Sequence, residues 1–195
     1  MDFKVHFETA WNMTLKYIAP LIIMTLVMIV VSLLSLGILA PVTMAGYMHA
    51  VLLILREGRE PKLQDLFSQM KLFFPLLGFG IIVFIGMMIG YMILILPGIL
   101  FVLAVSYCCL YLLPIMTDRG LGLIDAVKES YSITMKGNMV DNIAVFIIFM
   151  GLLAVGSSVF IGCLFTQPFA TIFLLSVYEE RTAETPAEVS PDTTR

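Results

Sequence analysis

Residues 72–117 read LFFPLLGFGIIVFIGMMIGYMILILPGILFVLAVSYCCLYLLPIMT, 46 positions without one Asp, Glu, Lys or Arg. A helix that crosses the roughly 30 Å hydrocarbon core of a bilayer uses about 20 residues. One crossing would leave half of this stretch as unexplained apolar chain, whereas two crossings and a tight turn use nearly all of it. A turn signal, Pro97-Gly98, stands near its middle. Proline removes a backbone donor and disfavours a helical residue before it. The stretch is therefore expected to fold as helix, break, helix.

Two further stretches, 17–55 and 142–178, are equally free of charge and run to 39 and 37 residues. Gly37 and Pro41 mark a turn in the first, and Thr166-Gln167-Pro168 in the second. All charged residues fall in 1–16, 56–71, 118–141 and 179–195. Backbone groups in lipid must be paired internally, which leaves helices as the spanning form. The expected fold is an all-α, polytopic transmembrane bundle, 1–178, of six hydrophobic helices in three hairpins. Parity then puts all four charged segments, with all eleven Lys and Arg, on one side. Positively charged loops stay cytoplasmic, so both termini are expected in the cytosol of a cell whose cytoplasmic (inner) membrane holds the chain.

Composition agrees. The chain has 195 residues, 60% hydrophobic and 13% charged, against about 45–50% and about 25% for a soluble domain. The net charge of −3, with no basic tract, gives no footing for nucleic acid. Cys108, Cys109 and Cys163 are odd in number and spaced for neither a zinc site nor a disulfide framework. Asp2 and Glu8 dilute any positive start, and the first apolar run is too long for a cleavable signal. The tail 179–195, EERTAETPAEVSPDTTR, is polar and proline-punctuated and is expected to be disordered.

The charged segments carry amphipathic patterns. Phe3, Phe7, Ala10, Trp11, Thr14 and Leu15 share one helical face of 2–17, opposite Lys4, Glu8, Asn12 and Lys16. The lone Trp11 suits headgroup depth. In 61–72, Pro61 suits a first helical position, and Leu63, Leu66, Phe67 and Met70 form the stripe. In 121–136 the stripe is Ile124, Val127, Tyr131 and Met135, with Asp125, Lys128, Glu129, Ser132 and Lys136 solvated and Lys136-Gly137 as the stop. Such helices either anchor loops to the membrane or offer a docking surface for lipid or a membrane or peripheral protein.

Ionisable groups inside a membrane usually mark a pathway or a site. Here His49 is the only one besides thiols and tyrosines. A proton-coupled carrier and an intramembrane aspartyl protease both lack their carboxylates, and His49 reads as a packing residue. Ser157 and Ser158 have no paired base. No catalytic, cofactor-binding or metal-ligating residue is expected, and no cofactor. Gly86-Met-Met-Ile-Gly90 is a GxxxG pattern, and Ala154, Ser158 and Gly162 form a second small-residue ladder. Both favour close helix packing within the chain, with homo-oligomer formation as the alternative.

Several of these pieces together resemble a family. They are Gly58-x-x-Pro61-x-x-x-Asp65-Leu66-Phe67, the LPGI break at Leu96–Ile99, Asp125-Ala126 with Ser130 and Lys136-Gly137-Asn138, and a proline-led arm ending Val177-Tyr178-Glu179. The order resembles the membrane domain of bacterial glycerophosphodiester phosphodiesterases and its free-standing relatives. That resemblance implies a helical bundle in a prokaryotic cytoplasmic membrane. It does not imply phosphodiesterase activity, which belongs to a separate soluble domain. The family's usual pattern in the post-break arm places aromatics or an arginine before its closing proline; here Tyr107, Cys108, Cys109, Tyr111 and Pro114 stand there, with no Arg. The functional expectation is a non-enzymatic module that associates with lipid or a partner through its cytosolic helices. The competing expectation is a small-solute carrier or substrate-binding subunit, with an apolar cavity for a neutral or amphiphilic solute.

Overall fold

The computed structural model describes residues 3–93, 95–136, 139–157 and 160–184, apart from the side chains at some of those ends. All regular structure among the described residues is helical. Helices α1 (Phe3–Lys16) and α2 (Ile18–Leu34) meet at Tyr17 with a bend of 87°. A turn carrying Leu36 and Gly37, both at positive φ, leads into α3 (Ala40–Glu57), where Pro41 occupies the first turn. Gly58, in the left-handed region at φ 63°, ends α3. Two 3-10 turns follow, Leu63–Phe67 and Met70–Leu72. Then come α4 (Phe73–Ile93), α5 (Ile95–Cys108), α6 (Leu112–Asp118), α7 (Leu123–Lys136), α8 (Met139–Ser157) and α9 (Phe160–Glu184).

Helices α3 and α9 form the hub. From Val42 to Ile54, α3 is buried except at the half-buried Met44, His49 and Leu53, and so is most of Phe169–Tyr178 in α9. The cover comes from α1, α2, α6, α8 and the first 3-10 turn. Gly46 makes the last contact close. A Cβ there would run into the carbonyl of Leu66, so the turn's backbone rests on the helix.

The α4–α5 hairpin differs. Its helices pack mainly on each other. Gly90 meets the Cα of Gly98, at 2.9 Å from where a Cβ would stand, and Gly86 meets the ring of Phe101. The outer faces are open: Ile82 is 67% exposed and Met92 83%. By length and composition, the runs Leu63–Met92 and Leu96–Asp118 are each sufficient to cross a membrane. The bent pairs α1–α2 and α7–α8 would bring the count to four if each were one span.

Several expectations need correction. Residues 61–72 are not an α-helix. Leu66, Gln69 and Leu72 turn inward at the three-residue period of 3-10 geometry, with the Leu66 backbone held against Gly46 of α3. Pro61 accordingly precedes the first turn instead of opening a helix. The third hairpin does not break at Thr166–Pro168. Proline 168 lies inside α9, and α8 gives way to α9 between Ser157 and Phe160. The tail is not irregular from residue 179, because α9 continues to Glu184; residues 185–195 lie outside the described ones. The second arm of the central hairpin is broken into α5 and α6, since Pro114 has no N–H to offer the Leu110 carbonyl. Ala154 and Gly162 fall on different helices, and Ser158 lies outside the described residues, so they form no single-helix ladder. The close α8–α9 contact is made by Gly156, whose Cβ would strike Thr166.

Candidate functional site

The four charged segments come together at one end of the bundle. Arg56, on the last turn of α3, holds both oxygens of Asp118 at the end of α6, and its Nε donates to Glu179 of α9 at 2.8 Å. Tyr178 Oη donates to the same Asp118 at 3.2 Å. Arg181 reaches Asp141 of α8 at 3.7 Å. Arg119 pairs with Glu129, joining the end of α6 to α7. His6 of α1 stands 2.5 Å from Glu180. Each segment is thus tied to at least one other.

Asp118 is well enclosed, its side chain 15% exposed. Burial alone would raise its pKa. The hydrogen bonds from Arg56, then that guanidinium's charge and the Tyr178 hydroxyl, outweigh burial and hold Asp118 below the usual carboxylate value. Arg56 moves the other way, held protonated by its hydrogen bonds to Asp118 and Glu179. The planar fork of arginine suits this bridging of two carboxylates.

Asp65 organises the first 3-10 turn. Its carboxylate accepts the Lys62 backbone N–H at 2.9 Å and the Arg59 guanidinium at 2.6 Å. Leu66 beside it is fully buried, while Leu63, Phe67 and Met70 are 41–46% exposed. Tyr17 Oη donates to the Gly58 carbonyl at 2.7 Å, pinning the chain between α1 and this segment.

Ser130 repairs the α5–α6 break. Its hydroxyl donates to the Cys108 carbonyl at 2.7 Å and accepts the Tyr111 N–H at 3.3 Å. Ala126, Ser130 and Thr134 line the protein face of α7, all fully buried. On α1 the corresponding row is His6, Ala10 and Thr14. Each helix thus turns a small or polar row toward the protein. On α1 the large apolar Trp11 and Leu15 are exposed along one edge, with Val5 exposed elsewhere; on α7 Ile124, at 70% exposure, and Tyr131 share a face. Trp11 leans edge-on against Phe165 and Phe169 of α9, at 6.0 and 6.4 Å, and is half exposed. The i, i+4, i+8 rows of small residues were readable signals for the inward faces.

His6 lies between Ser176 Oγ, 2.7 Å from Nδ1, and Glu180 Oε2 at Nε2. Serine, histidine and carboxylate are the parts of a nucleophilic triad. Ser176, however, sits within α9, where the surrounding amide groups are spent in the helix ladder and point away from a developing oxyanion. The arrangement clasps α1 to α9, with Phe173 edge-on to the imidazole.

Asp125 and Lys128 are exposed and lie 4.0 Å apart. Lys136 ends α7 with its side chain outside the described residues, as is Gly137. His49 is half-buried, and its Nδ1 has no partner among the described residues. Among those residues no group of three His, Cys, Asp or Glu is placed to hold a metal. At the opposite end of the bundle a cavity of about 560 Å³ opens between α2 and α3, lined by Met28, Ile29, Leu33, Gly37 and Met44, with Ser32 as its polar group.

Neither protein-family models, nor curated proteins, nor solved structures yield a match to this chain, so the family resemblance rests on its motifs.

Proposed function

We propose that the chain is a multi-pass module of a cytoplasmic membrane, without catalytic activity, that associates with lipid or a partner protein through its charged cytosolic face. The carrying observation is the convergence of all four charged segments at one end while the charge-free arms extend away from it. On this reading α2, α3, α4, α5–α6, α8 and α9 all span. At 1.5 Å per residue, α2 and α3 are about 26 and 27 Å long. Helices α3 and α9 are less apolar overall because the protein screens them from lipid. Helices α1 and α7 lie in the interface, and the bends of 87° and 113° toward α2 and α8 suit that placement. The α2–α3 cavity favours the second reading, a binding site for a small neutral or amphiphilic solute.

Trp11, the only tryptophan, is a built-in depth probe. In vesicles, lipids brominated near the glycerol end should quench its fluorescence more than lipids brominated near the chain terminus. Stronger quenching from the chain terminus, or none from either, would overturn the interfacial reading.

A further inference from the structure

The 3-10 segment shows lysines and apolar side chains to the outside together. We infer that Lys62 and Lys71 bracket a binding surface for anionic phospholipid headgroups, with Leu63, Phe67 and Met70 seated among the acyl chains beneath. This rests on the interfacial reading above and adds a lipid class to it.

The bracket is rigid. Leu66 is locked onto α3 at Gly46, Gln69 and Leu72 are buried behind it, and Asp65 ties down the start of the turn. The outward residues need not be ordered on binding, which lowers its entropic cost. The bracket is also cationic where it faces out. Both lysines are exposed and have no ion-pair partner among the described residues. Asp65, the one acid between them, is occupied by Arg59 and by a backbone N–H. Glu57 and Glu60 are exposed but lie upstream of the buried Pro61, outside the bracket. The four described arginines are all engaged with carboxylates. Lysine is therefore the basic residue left for an outside partner in this segment. Three half-exposed apolar side chains beside two such lysines fit a surface that is apolar below and anionic above. A soluble acidic partner would leave Leu63, Phe67 and Met70 without a use.

Each lysine near an anionic surface is expected to give roughly a fivefold preference. The test uses the full chain in mild detergent, titrated with phosphatidylglycerol or phosphatidylcholine and read by native mass spectrometry of bound lipid. With two lysines, wild type should retain phosphatidylglycerol about 25-fold over phosphatidylcholine. Lys62→Gln/Lys71→Gln should lose that preference while melting like wild type. Equal retention of both lipids by wild type would overturn the inference, as would an undiminished preference in the double variant. Trp11 quenching, measured on the same proteins reconstituted into vesicles, separates the two claims. Shallow quenching without headgroup preference leaves the interfacial placement standing and removes only the anionic site.

Discussion

Helix α3 and helix α4 have nearly the same apolar length and opposite fates. The first is buried along most of its surface; the second packs on α5 and otherwise faces outward. The difference lies in small residues at contact positions. In α3, Ala45, Gly46 and Ala50 let neighbours come close, and all three are buried. In α4, Gly78 and Gly80 face open space, and only Gly86 and Gly90 touch another helix. In a membrane, where lipid is as apolar as leucine, close packing decides which helices enter the hub.

The sharpest way to break this contrast is to add one methyl group to each helix. Gly46→Ala must push the Leu66 backbone away and should cost about 3 kcal/mol or more in detergent unfolding. Gly78→Ala meets nothing and should be neutral or stabilising by about 0.5–1 kcal/mol. Equal effects would mean that α3 is not the hub.

Next in size is the charged layer that closes the hub. Arg56→Gln strands the enclosed Asp118 and should cost about 2 kcal/mol. The pH dependence has a definite sign. A carboxylate whose pKa is lowered on folding adds stability above its unfolded value of about 3.9 and loses it as pH falls through the folded value. The gap in melting temperature between wild type and Arg56→Gln should therefore be full at neutral pH and close on acidification below about 4. A gap that widens in acid would contradict the pairing.

The hairpin should respond more weakly, and unevenly. Gly90→Ala presses on the Gly98 backbone and should cost about 1–2 kcal/mol, whereas Gly86→Ala meets only the Phe101 ring, which can turn aside, and should cost less than about 1 kcal/mol. The reverse order would show that the two arms do not meet at Gly90 and Gly98.

Much of the helical plan was legible from charge-free lengths and prolines, because lipid and backbone pairing leave a long apolar stretch few options. Pro97-Gly98 falls in the opening turn of α5, and Gly37 lies in the α2–α3 turn, as their chemistry requires. Pro168 misled because a proline late in an apolar pattern reads as a break. The chain turns instead beside Gly156, whose contact with Thr166 is a tertiary fact. Residues 61–72 misled because Leu63, Leu66, Phe67 and Met70 have α spacing, and only the approach to Gly46 selects the 3-10 turn. The ion pairs of Arg56 join positions 62 and 123 residues apart and the clasp of His6 reaches 170, and no local pattern announces them.

The account's central claim is that the four charged segments share one side of the membrane. Single cysteines in a background lacking Cys108, Cys109 and Cys163 test it directly. Leu36 and Met92 are 91% and 83% exposed at the far ends of two hairpins. Leu36→Cys and Met92→Cys should react with an impermeant maleimide from outside intact cells. Lys62→Cys and Lys128→Cys should react only in inverted vesicles. Labelling of position 62 or 128 from outside, with 36 or 92 reached from the cytosol, would contradict the account.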